Sequence, residues 1–98
     1  MTSTLDVRIR GHSMWPTLHH DQVVEFRETE PNAAYQAGDI VLAKHPLKID
    51  VVVIKRILRV ESDGRLFLVG DNPDPTASED SHNFGPIKAD LIQAVMVR

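Results

Sequence analysis

DVVVIKRILRVES, residues 50–62, decides the fold, because it is the longest β-branched and apolar run in the chain. Side chains of this kind favour extended, paired backbone. The Asp63-Gly64 pair directly after the run is typical of tight hairpin turns, and RLFLVGD (65–71) follows it. The sequence therefore predicts a β-hairpin formed by residues 50–62 and 65–71.

Four further segments have the alternation or the β-branched content of strands. Helical signals are weak and amount to one turn each, in PNAAYQA (31–37) and KADLIQ (88–93). The four strand segments are TLDVRIRG (4–11), QVVEFRE (22–28), DIVLAKH (39–45) and IQAVMVR (92–98). Six predicted strands indicate a mainly β fold, a compact distorted barrel or a sandwich, and the strand order stays open.

Length and composition narrow the classes of function. A chain of 98 residues has room for one core, so residues 1–98 are predicted to form a single domain. The absence of cysteine excludes disulfides and thiolate metal sites. The net charge of -3 leaves no basic footprint for nucleic acid.

No apolar run approaches the ~18 to 20 residues of a membrane span. The N-terminal MTSTLDVRIRG lacks the apolar centre of a signal peptide. We therefore expect a protein without an integral membrane span that stays in the cytoplasm, where it is made.

GHSMWPTL (11–18) places one serine in a loop flanked by Gly11 and Pro16. Such a serine is usually a turn residue with a solvated hydroxyl. The alternative is a nucleophile, since Gly11 permits close backbone approach and Pro16 stiffens the exit of the loop. The loop alone leaves both interpretations open for Ser13.

Lys55 lies in the middle of the longest predicted strand. A period of two puts it on the face of Val51, Val53 and Ile57, and puts Arg56 on the other face. The common fate of such a lysine is to extend its ammonium to water at a strand edge. The alternative is burial, which lowers the lysine pKa from ~10.4 and lets the neutral amine accept a proton from a serine.

The segment GDNPDPTASEDSHNFG (70–85) is a long polar loop. Its composition is that of a flexible acidic turn, yet long irregular loops in small domains are often functional. Ser78, Asp80 and Ser81 form a polar cluster that is a candidate partner for the Lys55 amine. A serine–lysine hydrolase is therefore one hypothesis.

Four segments occur in the order of the conserved boxes of type I signal peptidases. They are SMWPTL (13–18), GDIVLAKHP (38–46), VVVIKRI (51–57) and GDN…SEDSHNFG (70–85). From Gly11 to Ile87 the chain resembles that family. The resemblance implies a mostly β, coiled-sheet fold and a serine endopeptidase with a protein precursor as substrate.

The resemblance also implies roles for individual residues. Ser13 matches the nucleophile, Lys55 the general base, and Ser78 the hydroxyl that holds the lysine amine. Asp80 matches the aspartate that supports this loop, and Asp71 falls in the matching GDN. An acyl-enzyme on Ser13 would follow, with the backbone N–H of that residue as one oxyanion donor.

An extended substrate is expected to add as a strand beside the residues that precede Ser13, Ile9 among them. Met14 either lines a substrate pocket or, as is commoner for a lone methionine, packs in the core. Gly11 stands where some relatives carry a serine that acts as second oxyanion donor, so that donor is unassigned. His82 replaces a common arginine, and residues 73–77 lengthen the loop.

The membrane anchor and the large second domain of typical signal peptidases are not in this sequence. A narrower resemblance is therefore to the maturation proteases of nickel-type superoxide dismutase. It implies that the substrate is a soluble dismutase precursor with a short N-terminal extension. Nothing in the residues themselves selects nickel or a dismutase.

Histidines raise the question of a metal site. His19 and His20 are adjacent and would face opposite ways on a strand, and no ligand spacing accompanies them. We therefore expect neither a metal nor a cofactor, and read His12, His19, His20, His45 and His82 as polar loop residues. A Ser13–His12 pair is poor, since neighbouring side chains diverge.

Three rival interpretations stay open. A self-cleaving repressor-type domain would need an Ala-Gly or Cys-Gly site before the serine, and the chain has neither. A non-catalytic β domain that binds peptides would not require Ser13, Lys55 and Ser78 together. A secretory signal peptidase would need a membrane tether. The oligomeric state is not predicted.

Overall fold

The chain folds as one antiparallel sheet, described for residues 3–97 in a computed structural model. The strands are β1 (Thr4–Arg8), β2 (Val23–Glu28), β3 (Ile40–Lys44), β4 (Val52–Val60), β5 (Leu66–Val69) and β6 (Ile92–Met96). The strand order is β1-β2-β6-β3-β4-β5, so β1 and β5 are the edges of the sheet. The prediction of a mainly β fold is confirmed.

The predicted hairpin is present as β4 and β5, which pair antiparallel. The turn is closed by the Glu61 N–H, which donates to the Arg65 carbonyl at 2.7 Å. Gly64 has a φ of +88°, a left-handed conformation that glycine adopts without strain. All six predicted strands are therefore confirmed, except that Arg98 of the last segment lies outside the described residues.

The structure differs from the helical predictions at two places. Residues 31–37 form no helix, so that prediction is wrong; Asn32 has a φ of +65°, which turns the chain away from a helical course. Residues 88–93 contain the single turn that was predicted, a 3-10 helix at Ala89–Leu91, before β6 begins. One short helix was not predicted: α1 (Ser81–Phe84), which is capped by Asp80.

The central strand β3 is buried on both faces of the sheet. It pairs with β4 on one side and β6 on the other. Ile40 and Leu42 belong to one apolar cluster, whereas Val41 and Ala43 belong to a second. Alternate residues of a strand point to opposite faces, so each face of the sheet has its own core, and β4 pairs with a strand that is buried on both faces.

The loop that contains Ser13 (residues 10–18, the Ser13 loop) is anchored in the first of these cores. Met14 is 1% exposed and Leu18 is 4% exposed, and the Leu18 N–H donates to the Met14 carbonyl at 2.9 Å. Met14 therefore packs in the core, the commoner of the two roles considered for it.

Within residues 3–97 no helix is long and apolar enough to cross a membrane.

Candidate active site

Ser13, Lys55 and Ser78 line one cleft of about 250 Å³, although they come from three distant parts of the chain. The Ser13 loop forms one wall and the β3–β4 loop (residues 45–51) forms another. A larger groove of about 460 Å³ beside the β3–β4 loop contains no serine, threonine or tyrosine among its lining residues. The smaller cleft is the candidate active site because it brings two serines together with Lys55.

The GDN segment after β5 fixes the Ser13 loop through its backbone. The Asn72 N–H donates to the Ser13 carbonyl at 3.0 Å, and the Asn72 side-chain amide donates to the His12 carbonyl at 2.8 Å. These two bonds hold the backbone on both sides of the Ser13 Cα. Asn72 was not singled out in the sequence, since its partners lie far away along the chain.

Gly70 has no room for a side chain. A Cβ atom there would lie 2.6 Å from the Ser13 carbonyl oxygen and 2.7 Å from the Ser78 Oγ. Arg56 pairs with Val69, so Gly70 follows next to Lys55 in the same register. Gly70 therefore lets three candidate residues approach one another, a requirement that the glycine of GDN does not reveal by itself.

Lys55 is buried at 4% exposure, in the middle of β4 and paired with Val41 of β3. Val51 and Val53 line the cleft with it, which confirms the predicted face. Burial is the main cause that lowers the pKa of Lys55 below its ordinary 10.5, and the negative charges of Asp80 and Glu79 oppose that shift in part.

The candidate hydroxyls and the amine belong to residues that line the same cleft, but they are not hydrogen-bonded to one another. Within residues 3–97, Ser13 Oγ, Lys55 Nζ and Ser78 Oγ take part in no hydrogen bond. Catalytic hydrogen bonds are often long in a free enzyme and tighten when substrate binds. The cleft thus presents an unpaired amine and two unpaired hydroxyls to an incoming peptide.

Asp71 and Arg56 connect the Ser13 loop to β4 on the face opposite Lys55. Arg56 donates to both Asp71 carboxylate oxygens, at 2.8 and 2.7 Å, and to the Gly38 carbonyl at 2.8 Å. Thr17 Oγ1 donates to the same carboxylate at 2.6 Å. The hydrogen bond from Arg56, aided by that from Thr17, lowers the pKa of Asp71.

Asp80 caps α1 and so shapes the far end of the cleft loop. It accepts the His82 N–H at 2.9 Å, and its own N–H donates to Asn83 Oδ1 at 3.0 Å. His82 Nδ1 lies 3.0 Å from the same Asp80 oxygen. Ser81 is buried, and its Oγ accepts the Leu68 N–H at 2.8 Å, which ties α1 to β5.

Two residues assigned from the resemblance have backbone groups that are already occupied. Ile9 is 3% exposed, its N–H donates to the Gln22 carbonyl, and its carbonyl accepts the Asp21 N–H. Gly11 has a φ of +81°, and its N–H donates to His20 Nδ1 at 2.8 Å. Strand pairing with a substrate therefore has no free backbone group at Ile9.

Histidines do not gather into a metal site. Within the described residues no three His, Cys, Asp or Glu side chains lie close enough together to hold a metal ion. His12 and His20 pack ring against ring with centroids 5.6 Å apart. His45, predicted to be a polar loop residue, lies in the loop after β3, but it is buried and hydrogen-bonded to Glu79.

The sequence profile of the family described as Peptidase S24-like matches residues 2–88, which is most of the chain. The chain belongs to the Peptidase S24-like family. The match spans the Ser13 loop, β4 and the loop after β5, that is, every segment of the candidate site in this S24-like chain.

Curated relatives of this S24-like chain are mitochondrial inner membrane proteases. Subunit 2 from Schizosaccharomyces pombe is 28% identical over 113 residues, covering 91% of this chain and 60% of the relative. Subunit 1 from Mus musculus is 32% identical over 108 residues, covering 89% and 63%; subunit 1 from Homo sapiens gives the same values. The chain spans about three fifths of the length of these relatives.

These matches agree with the resemblance to signal-peptidase-like serine peptidases at the level of the family. Membership of a peptidase family implies a protein or peptide substrate. The narrower resemblance to dismutase maturation proteases finds no support in these matches.

Proposed function

We propose that this chain is a serine endopeptidase in which Ser13 is the nucleophile and neutral Lys55 is the general base. The observation that carries the proposal is the convergence of both residues in one cleft, with Lys55 buried at 4% exposure. Burial lowers the pKa of Lys55, and only the neutral amine can accept a proton. Family membership supports the reaction class.

The chemistry needs two steps. Ser13 Oγ forms a bond to the scissile carbonyl carbon as its proton passes to Lys55 Nζ, and the oxyanion forms. The C–N bond then breaks, the Lys55 ammonium returns the proton to the leaving amine, and an ester remains on Ser13. Water, deprotonated by Lys55, hydrolyses that ester and regenerates both groups.

The backbone around Ser13 suits the oxyanion. Within residues 3–97 the Ser13 N–H donates no hydrogen bond, so it is available to the developing negative charge. The Gly11 N–H is engaged with His20 and does not supply a second donor in the free protein. Ser78, whose Oγ packs against Gly70, supplies a hydroxyl beside the Lys55 amine, and Asp71 and Asp80 hold the loops around it.

For the substrate we propose the N-terminal extension of a protein precursor. An extended segment would lie along the cleft wall that Gly11 and His12 form, with its scissile bond at Ser13. The nickel-type superoxide dismutase precursor is the specific candidate, and it rests on the sequence resemblance alone. The mitochondrial relatives are proteases of a membrane compartment by name, so membrane-bound precursors belong in the same test.

The test is to incubate the protein with synthetic peptides that cover the N-terminal regions of proteins encoded in the same genome. Any nickel-type dismutase precursor is included, and new termini are identified by mass spectrometry. We expect cleavage at one or a few bonds, lost in both Ser13→Ala and Lys55→Ala. Cleavage by Ser13→Ala at the wild-type rate would overturn the proposal, and binding without cleavage by the wild type would identify a non-catalytic peptide-binding domain.

A further inference from the structure

His45 is a buried histidine at the edge of the cleft that the proposed reaction does not use. It follows the last residue of β3, and its side chain is 3% exposed. Its Nδ1 accepts the backbone N–H groups of Leu47 at 3.0 Å and Lys48 at 3.2 Å. A nitrogen that accepts hydrogen bonds carries no proton, so the ring proton is on Nε2.

The Nε2 proton of His45 points to the loop that contains Ser78. Nε2 and Glu79 Oε1 are 2.5 Å apart, so His45 donates to this carboxylate. The hydrogen bond from His45 is the main cause that lowers the pKa of Glu79. The ring of His45 also packs edge-on against Phe84, with centroids 5.0 Å apart.

Residues 78–80 (the 78–80 segment) need an anchor of this kind. Within the described residues, the backbone N–H and carbonyl groups of Ser78 and Glu79 make no hydrogen bond. Lys48 Nζ also reaches Glu79 Oε1, at 3.4 Å, but that pair is exposed on both sides. The bond from buried His45 is therefore the fixed attachment of this segment to the β3–β4 loop.

We propose that His45 is a positioning residue that holds the 78–80 segment against Lys55 through its hydrogen bond to Glu79. This inference rests on the proposed function, because its effect on activity acts through Lys55. Two groups on the segment act on that lysine: Asp80 and Glu79, whose negative charges oppose the loss of the Lys55 proton. When the His45 bond is lost, the hydroxyl of Ser78 and the charge of Glu79 move away from the amine, whereas Asp80 stays bonded to α1.

Charged and titratable groups surround Lys55 from three segments. The Ser13 loop contributes Arg10 and His12, and the β3–β4 loop contributes His45 and Lys48. The 78–80 segment contributes Glu79 and Asp80. Only the last two are negative, so releasing the segment lowers the pKa of Lys55 further. A released segment should therefore move the acidic limb of the pH–rate profile to lower pH while the rate falls.

Two substitutions of His45 test the roles of its two ring nitrogens separately. His45→Asn keeps an acceptor at the Nδ1 position for the β3–β4 loop but has no group that reaches Glu79. His45→Gln keeps a donor at the Nε2 position but loses the Nδ1 acceptor. We expect His45→Asn to lower kcat about tenfold to hundredfold, as misplacement of catalytic groups does, with KM within about twofold. His45→Gln should keep kcat within about threefold.

A purely structural role in the β3–β4 loop predicts the reverse order for these two variants. If His45→Asn matches the wild type in kcat while His45→Gln is impaired, the inference is overturned. His19→Asn is the matched control, since His19 is exposed and lies outside the cleft. The substrate is the peptide that the wild type cleaves fastest in the library described above.

Glu79→Ala and Glu79→Gln cover the case in which substitution of buried His45 impairs folding. Glu79 is exposed, so both variants should fold. Glu79→Ala breaks the link from the other end and should reproduce the kcat loss of His45→Asn, with no further loss in the double variant. Glu79→Gln keeps an acceptor but not the charge, and should keep kcat while the acidic limb moves to lower pH.

A readout that needs no substrate separates this inference from the proposed function. The pKa of Lys55 is measured by following its side-chain NMR signals, assigned with Lys55→Arg, through a pH titration. A lower Lys55 pKa in His45→Asn, which keeps the Glu79 carboxylate, than in the wild type supports positioning even if no peptide is cleaved. Glu79→Ala removes that charge directly, so its Lys55 pKa is the reference for complete loss of the Glu79 charge. An unchanged Lys55 pKa in His45→Asn overturns the inference, whether or not the wild type is a peptidase.

Discussion

The carbonyl oxygen of Ser13 lies 2.6 Å from the position that a Cβ atom on Gly70 would occupy. Ser78 Oγ lies 2.7 Å from the same point, so one missing side chain lets both approach β5 beside Lys55. We predict that Gly70→Ala lowers stability by about 1–3 kcal/mol, the usual cost of overpacking. It should lower kcat more than tenfold, because the Ser13 loop and Ser78 are both displaced.

Gly64→Ala is the matched control for this prediction. Gly64 also has no side chain and lies in the β4–β5 turn, where a Cβ would meet no atom within 4 Å but φ is +88°. Its substitution should lower the thermal midpoint through backbone strain and leave kcat unchanged. Equal kcat in Gly70→Ala and wild type would show that the approach of Ser13 to Gly70 is not needed.

The pH dependence of activity should report the neutral form of Lys55. Because burial lowers the pKa of Lys55 below 10.5, kcat/KM should rise with pH and level off before free lysine titrates. In an NMR titration, the pKa of Lys55 should lie below 10.5. A rate that still rises at a pH near ~10.4, the value of free lysine, would contradict a desolvated base.

Stability should depend on Lys55 in the opposite sense to activity. The folded pKa is lower than the unfolded value, so between these two pKa values the unfolded state binds more protons and stability rises with pH. Each unit of lowering costs about 1.4 kcal/mol, in full at pH values below the folded pKa. Lys55→Met should therefore be more stable than wild type at neutral pH, with a gap that narrows as pH rises through the folded pKa towards 10.5.

Urea unfolding of Lys55→Met and wild type between neutral and alkaline pH measures this gap. Lys44→Met, at an exposed position of β3, is the control and should show no comparable pH dependence. A Lys55→Met variant that is less stable than wild type at neutral pH would mean that the buried ammonium is well compensated.

The pair of Arg56 and Asp71 should stabilise the arrangement of the loops rather than the chemistry. Two hydrogen bonds from Arg56 and one from Thr17 meet on the Asp71 carboxylate. Asp71→Asn should lower the free energy of unfolding by about 1–2 kcal/mol, which is typical of hydrogen bonds to charged groups that are partly exposed. Because the pKa of Asp71 is lowered from 3.8, this contribution is complete above pH ~4 and is lost as pH falls through the folded pKa.

Chemical unfolding of Asp71→Asn and wild type across acidic pH measures that contribution. Asp63→Asn removes the charge of the exposed Asp63–Arg65 pair and should change stability far less. An unchanged free energy of unfolding in Asp71→Asn at neutral pH would show that the three hydrogen bonds do not hold the Ser13 loop.

Much of the fold was predictable because its signals are local. The alternation in residues 4–11 and the β-branched run of 50–62 each determine a strand without reference to the rest of the chain. The helix α1 was not predicted, because it has only four residues and depends on its cap at Asp80. For residues 31–37 a helical turn was predicted that does not form, since their alanines favour a helix that Asn32 interrupts.

In the candidate site, too, the residues with local sequence signals could be predicted and those defined by distant partners could not. Ser13 and Lys55 are unusual residues in their local contexts, so they could be proposed from sequence. The groups that hold them are defined by distant partners: Asn72 bonds to residue 12, and Glu79 bonds to His45. Met14 shows the limit for apolar residues, because a methionine in a pocket and one in a core look alike in sequence.

The most direct measurement is trapping of the acyl-enzyme. The protein is mixed with an ester of the peptide that precedes the cleaved bond, quenched with acid, and examined by intact-mass and peptide mass spectrometry. We predict an acyl group on Ser13, absent in Ser13→Ala and formed about a hundredfold or more slowly in Lys55→Ala. An acyl group on another residue, or acylation of Lys55→Ala at the wild-type rate, would contradict the Ser13–Lys55 pair.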